Sequence, residues 1–256
     1  MSKFCVFYSY FETKNSQENL EFFVKNGINL NSDIFYVFLI NNNNYSVKIP
    51  NQKNIKIICR DNIGHDFGSW KDGLKSIKKT FDYYIFMNDT VRGPFLPRYI
   101  PKNISWYQMF CNLISKKVKL SGLTINHFPW GNKGTSLHHV QSMMFCTDKV
   151  GLEILNKNIF NLTPNEYENI YKYNRKNFII RFEIGMSQQI IKNGFDIAAL
   201  YLCDIKKHKT GDIWYNNKYL GTTINPLETM FIKKNRIDSE LIKFYTDIFK
   251  PDKTIK

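Results

Sequence analysis

The sequence is poor in cysteine, acidic residues and long apolar runs, and each shortage excludes something. The five cysteines (Cys5, Cys59, Cys111, Cys146 and Cys203) are odd in number and scattered. None forms a CxxC pair, so neither a zinc ribbon nor a disulfide framework is indicated. Most lie in apolar runs, and buried thiols are the expected state. No apolar run approaches the roughly 18 residues that span a bilayer. The start, Met1–Tyr8, is too short and too polar at its flanks for a signal peptide and reads as a first strand, so a cytoplasmic location is expected. Neither a Walker A loop nor GxGxxG is present. There is no internal repeat, no linker, and no low-complexity tract beyond Asn41–Asn44.

The shortage of acids leaves 36 Lys and Arg against 22 Asp and Glu, a net charge of +14. That charge alone would suit an acidic partner. The lysines are dispersed, however, with only pairs at Lys116-Lys117, Lys206-Lys207 and Lys233-Lys234. Lys, Asn, Ile, Phe and Tyr are abundant together, the mark of an A/T-rich coding sequence. A solvated basic surface is expected, and no nucleic-acid partner.

At 256 residues with 43% hydrophobic content the chain can bury a full core, and one compact domain is the simplest account. Runs at Cys5–Tyr10, Ile34–Ile40, Ile55–Cys59 and Tyr83–Met87 read as strands. Asn15 and Glu18 resemble a capping box for a helix that stops at Gly27. These short links predict a Rossmann-like parallel sheet. Later elements are expected at Ser105–Ser115 (helix), Lys119–Ile125 (strand), Leu137–Phe145 (strand), Asn165–Lys176 (helix), Ile197–Leu202 (strand) and Ser239–Phe249 (helix).

Three stretches carry chemistry. Tyr83–Phe95 is an apolar strand that stops at Asn88-Asp89, with a turn at Gly93-Pro94. In an open α/β sheet, ligands gather at the carboxyl ends of the strands. Asp89 is placed either to hold a cation that bridges phosphates or simply to cap the turn. Arg60–Leu74 runs from a strand through Gly64 into a helix that Asp66 can cap. It is either a phosphate-attracting loop or an ordinary βα connection. Phe182–Gly194 reads as a helix with Glu183 in its first turn, as a general base or as a favourable dipole carboxylate. Adjacent His138 and His139 face opposite sides of a strand, so sugar contacts or packing are favoured over a metal. Tyr10 and Trp130 are candidate stacking surfaces for sugar or base, with core packing as the alternative.

Taken in order, Arg60–Trp70, Met87–Pro94, His139–Ser142, Glu183–Ser187 and Pro226–Arg236 resemble the rhamnan-synthesis-F-like glycosyltransferases. They also resemble the glycosyltransferase domain of a chlorovirus capsid-glycosylating enzyme. The resemblance implies a single GT-A-like α/β domain over residues 1–256, with a donor-binding half at about 1–95 and an acceptor-binding half at about 96–256. It implies transfer of a sugar, rhamnose in that family, from a nucleoside diphosphate donor (UDP or dTDP) to a glycan or glycoprotein acceptor. It places Tyr10, Arg60, Asn62, Gly64, Asp66, Asn88 and Asp89 at the donor, and Trp130, His139 and Ser142 at the acceptor. Glu183 becomes the catalytic base of an inverting reaction. Asp89 and His208 become ligands of Mn2+ or Mg2+, although Asn88-Asp89-Thr90 offers one carboxylate where the fold usually carries Asp-x-Asp. Competing classes are a non-catalytic nucleotide- or glycan-binding protein, a nucleic-acid binder and a nucleotidyltransferase. The last normally brings two or more carboxylates to its metal.

Overall fold

The computed structural model describes residues 2–30, 33–42, 44–101, 103–128, 137–201, 217–218 and 221–249. The first half follows the apolar runs: β1 (Phe4–Tyr10), α1 (Lys14–Asn26), β2 (Ile34–Ile40), β3 (Ile55–Cys59), α2 (His65–Ser76), β4 (Tyr83–Asn88) and β5 (Val91–Arg92). Next come α3 (Trp106–Cys111), β6 (Val118–Gly122), β7 (Ile125–Phe128), β8 (Leu137–Val140), β9 (Met144–Asp148), α4 (Lys149–Asn158) and α5 (Pro164–Tyr173). The α6 helix (Arg175–Phe178) passes through a π-helical stretch, Ile179–Ile184, into α7 (Gly185–Lys192). The chain ends with β10 (Asp196–Ala199), α8 (Pro226–Thr229), β11 (Ile232–Lys233), a 3-10 turn and α9 (Ser239–Ile248).

Seven strands form the central sheet in the order β10-β6-β9-β4-β1-β2-β3. β1, β2, β3 and β4 are parallel, whereas β9 runs antiparallel between β4 and β6. The α/β fold with a Rossmann-like, mostly parallel sheet expected from the sequence is borne out. β1, β2 and β4 lie inside the sheet with helices on its faces, so their residues are mostly buried on both sides and the strands read as near-continuous apolar runs. Phe7, Phe86, Phe145 and Trp70 stack through the centre of one face.

Several local expectations need correction. The α1 cap is Thr13, boxed with Ser16, not Asn15 with Glu18. Glu18 instead turns to Arg92 and Lys234. Leu137–Phe145 is two strands, because the chain turns at Gln141–Met143 and reverses to join the central sheet as β9. Asn165–Lys176 breaks at Asn174, whose extended backbone caps α6. Cys5, Cys111 and Cys146 are buried as expected, but Cys59 is exposed at the sheet edge, and Cys203 lies outside the described residues. Among the described residues, no helix is long and apolar enough to cross a membrane.

Candidate active site

The carboxyl ends of β1 and β4, the start of α2 and the π-helical stretch converge on three carboxylates. Asp89 follows β4 directly. Its Oδ2 accepts from Phe11 N–H at 2.6 Å, and its backbone carbonyl accepts from Asn19 Nδ2 at 2.8 Å. Its Oδ1 has no hydrogen-bond partner among the described residues and is available to a ligand. Asp66 lies in the first turn of α2 and accepts from Asn88 Nδ2 at 2.7 Å. Glu183 accepts from Ser142 Oγ at 2.9 Å, and its second oxygen has no partner among the described residues.

All three carboxylates sit above their ordinary pKa, with burial as the main cause. For Asp89 the value rises to about 7, and the charge of Asp66 adds to the rise. Asp66 also pushes Glu183 upward, so it is the electrostatic centre of the trio. One cation, Lys233, opposes the rise at all three. Lys233 arrives because β11 pairs antiparallel with β5, setting it opposite Val91 just past Asp89. Gly93 makes that approach possible: a Cβ there would lie 2.4 Å from the Met230 carbonyl.

The polar neighbours explain why residue 88 is Asn. Its Oδ1 accepts from Thr90 N and Oγ1, at 3.2 and 2.6 Å, while its Nδ2 donates to Asp66. An aspartate at 88 would set two carboxylates against each other with no proton between them. Asn88 is therefore the donor that lets Asp66 and Asp89 share a site.

Other expected residues find different places. Asp66 does not cap α2; the cap position is Gly64, at φ 78. Gly64 is needed for packing, since a Cβ would meet the Pro164 carbonyl at 2.5 Å, and its N–H goes to Glu168. Arg60 is not open to a donor. Its guanidinium is committed to Asp72, Asn41 and the Ile63 carbonyl at 2.6–2.9 Å. It acts from behind, through Asn41 and Ser9, on the carboxylate of Asp66. Asn62 is exposed on the same loop. Tyr10 is fully buried and donates to Glu12, so its ring has no open face, and core packing is the correct alternative. Its neighbour Phe11, 42% exposed, is the aromatic beside Asp89. Phe11 lies just past the end of β1, outside the run that is buried throughout. His139 is buried on β8, its ring against the Leu137 carbonyl. Trp130 and His208 lie outside the described residues. Glu183 does not start a helix, since the winding begins at Arg175, so the dipole alternative falls. It lies in the π-helical stretch, a distortion frequent at functional sites.

The structure joins two segments that are 41 residues apart. Ser142 donates to Glu183, and Ser187 Oγ accepts from Val140 N–H. A cavity of about 530 Å³ opens on Asp89 and is lined by Phe11, Asn15, Asn19, Thr90, Lys233 and Asn235.

The chain matches the model of the family described as Rhamnan synthesis protein F over residues 37–247. It belongs to that family. Membership supports a glycosyltransferase over the nucleic-acid reading. Virulence protein VirA of Vibrio anguillarum is 24% identical over 235 residues, covering 78% of this chain and 68% of that protein. Among solved structures, the chain is similar to the mannosyltransferase PcManGT from Pyrobaculum calidifontis, in complex with GDP-Man and Mn2+. That match has a TM-score of 0.46, 8% identity and coverage of 77% of this chain. The chain spans about half (54%) of that enzyme's length.

Proposed function

We propose that the protein transfers a sugar from a nucleoside diphosphate donor to a glycan acceptor with inversion, and that the sugar is rhamnose. The observation that carries this reading is the desolvated trio Asp66, Asp89 and Glu183 beside Lys233, at the strand ends where this sheet binds ligands. Family membership supports rhamnose.

The donor occupies the cavity at Asp89, with its base against the exposed ring of Phe11. The donor half, about 1–95, is completed by Lys233 and Asn235 from the end of the chain, and the remainder serves the acceptor. Among the described residues, no three His, Cys, Asp or Glu side chains gather as a metal site. Asp89, with its open Oδ1, would hold a hard cation, Mn2+ or Mg2+, together with the donor diphosphate. When bound, such a cation supplies charge neutralisation for the departing diphosphate.

The chain's own residues do the rest. Lys233 faces the charge that grows on the leaving group. Glu183, held by Ser142, takes the acceptor hydroxyl proton on its second oxygen. Its raised pKa strengthens it as a base near neutral pH. One base acting from the face opposite the leaving group gives inversion, by the geometry that governs inverting glycosidases.

The test is release of nucleoside diphosphate from a panel of nucleotide sugars with manganese and acceptor. One donor class should turn over, and Asp89→Ala should abolish turnover with the fold intact. Near-normal turnover in that variant would remove Asp89 from the site.

A further inference from the structure

The excess of lysine reads as compositional, but the six arginines need a separate account. Arg60 and Arg92 are clamps with committed guanidinium groups. Arg175 differs. It is exposed, and no carboxylate lies within ion-pair distance of it among the described residues. Its guanidinium carbon lies 5.8 Å from the centre of the Tyr171 ring. That ring packs on His65 at 3.8 Å, next to Asp66. Glu168 lies at the base of this stack, 3.6 Å from His65 Nε2, where it pairs with Lys172 and accepts from Gly64 N–H. The stack thus runs from the donor loop outward and ends in a guanidinium whose position is fixed by the ring beneath it.

Arg175 also shares a face with Glu183. They are eight positions apart along a helix that is partly α and partly π, which makes about two turns. The field of Arg175 reaches Glu183 and favours its ionised form. Arg181, by contrast, acts on Glu166 on the side of α5 and is not part of this line. Between Glu168 and Glu183 the sequence holds no acid, while Tyr173 stands 91% exposed beside Arg175.

We infer that Arg175, stacked on Tyr171 on the Glu183 face, binds a carboxylate or phosphate group carried by the acceptor glycan next to the sugar that reacts. A planar guanidinium fixed on an aromatic ring is suited to bidentate capture of such a group, and a neutral acceptor would make no use of it. Tyr173 offers a ring on which an adjoining sugar can stack. The inference rests on the glycosyltransferase reading and names the acceptor class for that site.

The test is calorimetric titration of the intact protein with an alginate hexasaccharide, a phosphomannan hexasaccharide and a neutral dextran hexasaccharide. At least one of the two anionic probes should bind, and which one does identifies carboxylate or phosphate. Dextran should bind about ten-fold more weakly or not at all. Arg175→Ala should weaken the anionic probe about ten-fold, with Arg175→Lys in between, because lysine keeps the charge and loses the fork. The residue is exposed, so unchanged melting should show that both variants are folded. Equal affinity of wild type and Arg175→Ala, preference for dextran, or no binding of either anionic probe would overturn the inference. So would equal binding of single-stranded oligo-dA, which would mean unspecific attraction of polyanions. A nucleotide titration on the same sample separates the two readings: if nucleotide binding holds and the anionic glycans fail, only the acceptor assignment is lost.

Discussion

Asp89 sits between two charged clusters that obey opposite rules. Behind it, Arg92 is buried and each of its three nitrogens donates: to Asn19 at 2.8 Å, Thr246 at 3.0 Å and Glu18 at 2.7 Å. Burial opposes ionisation of Glu18, but Arg92 and Lys234 outweigh it and hold the carboxyl below its usual range. In front, Asp66, Asp89 and Glu183 are all held above theirs. The rear cluster is matched, so its charges support the fold. The front cluster is mismatched, as groups at functional sites often are. The two are joined by Asn19, which accepts from Arg92 and donates to the Asp89 carbonyl.

The contrast can be broken from either side. The largest effect is expected from Glu183→Gln, which should keep donor binding and lower transfer about 10²–10⁴-fold, as loss of a general base does. If that variant loses donor binding while staying folded, the role assigned to Glu183 is wrong. At the rear, Arg92→Met should lower stability by about 2–4 kcal/mol in denaturant unfolding, because Asn19 and Thr246 lose a buried donor and Glu18 a partner. A cost near zero would show that the rear cluster is not structural.

Asn88→Asp should be costly at neutral pH and much less so near pH 4, where a shared proton can restore the lost donor. Melting temperature against pH would show this, and a flat difference would contradict the role of Asn88.

The two clusters should also respond oppositely to pH. The folded pKa of Asp89, about 7, lies above its unfolded value, so the folded state holds the extra proton. Its contribution is fully present below about pH 4 and is lost as pH rises through about 7. Glu18 has the reverse sign: its contribution is present above its unfolded pKa and lost as pH falls through the lowered one. Asp89→Asn should therefore stabilise the ligand-free protein at pH 7.5, by on the order of 2 kcal/mol after allowance for its partial exposure.

The smallest effect belongs to Ser142→Ala. Removing the hydroxyl that stabilises ionised Glu183 should move the acid limb of the pH–rate profile upward. An unmoved limb would mean that another group sets it.

The sequence was most readable where one local rule decides the outcome. Ile34–Ile40 and Ile55–Cys59 are strands to the residue, because short runs rich in β-branched and apolar residues favour a strand. Asp89 and Glu183 stood out from position and resemblance, and both lie within the electrostatic reach of Asp66 and Lys233. Legibility failed where a distant partner decides. Tyr10 and Phe11 look alike in sequence, and only the end of the strand beside Asp89 tells which ring stays open. Arg60 looked like a ligand for phosphate until Asp72, twelve residues on, took it. Nothing near Arg92 in the sequence signals Thr246, 154 residues away. The place of Lys233 depends on β11 finding β5, a pairing between segments far apart in the chain.

The most direct test of the central claim is thermal stability against UDP, GDP and dTDP, each with and without manganese, for wild type and Asp89→Asn. A ligand that binds only the native state raises stability by RT ln(1 + [L]/Kd). The account predicts a rise with one nucleotide, enlarged by manganese in wild type, with the manganese increment lost in Asp89→Asn. No rise with any nucleotide in a well-folded sample would contradict it, and so would a manganese increment that survives the loss of Asp89.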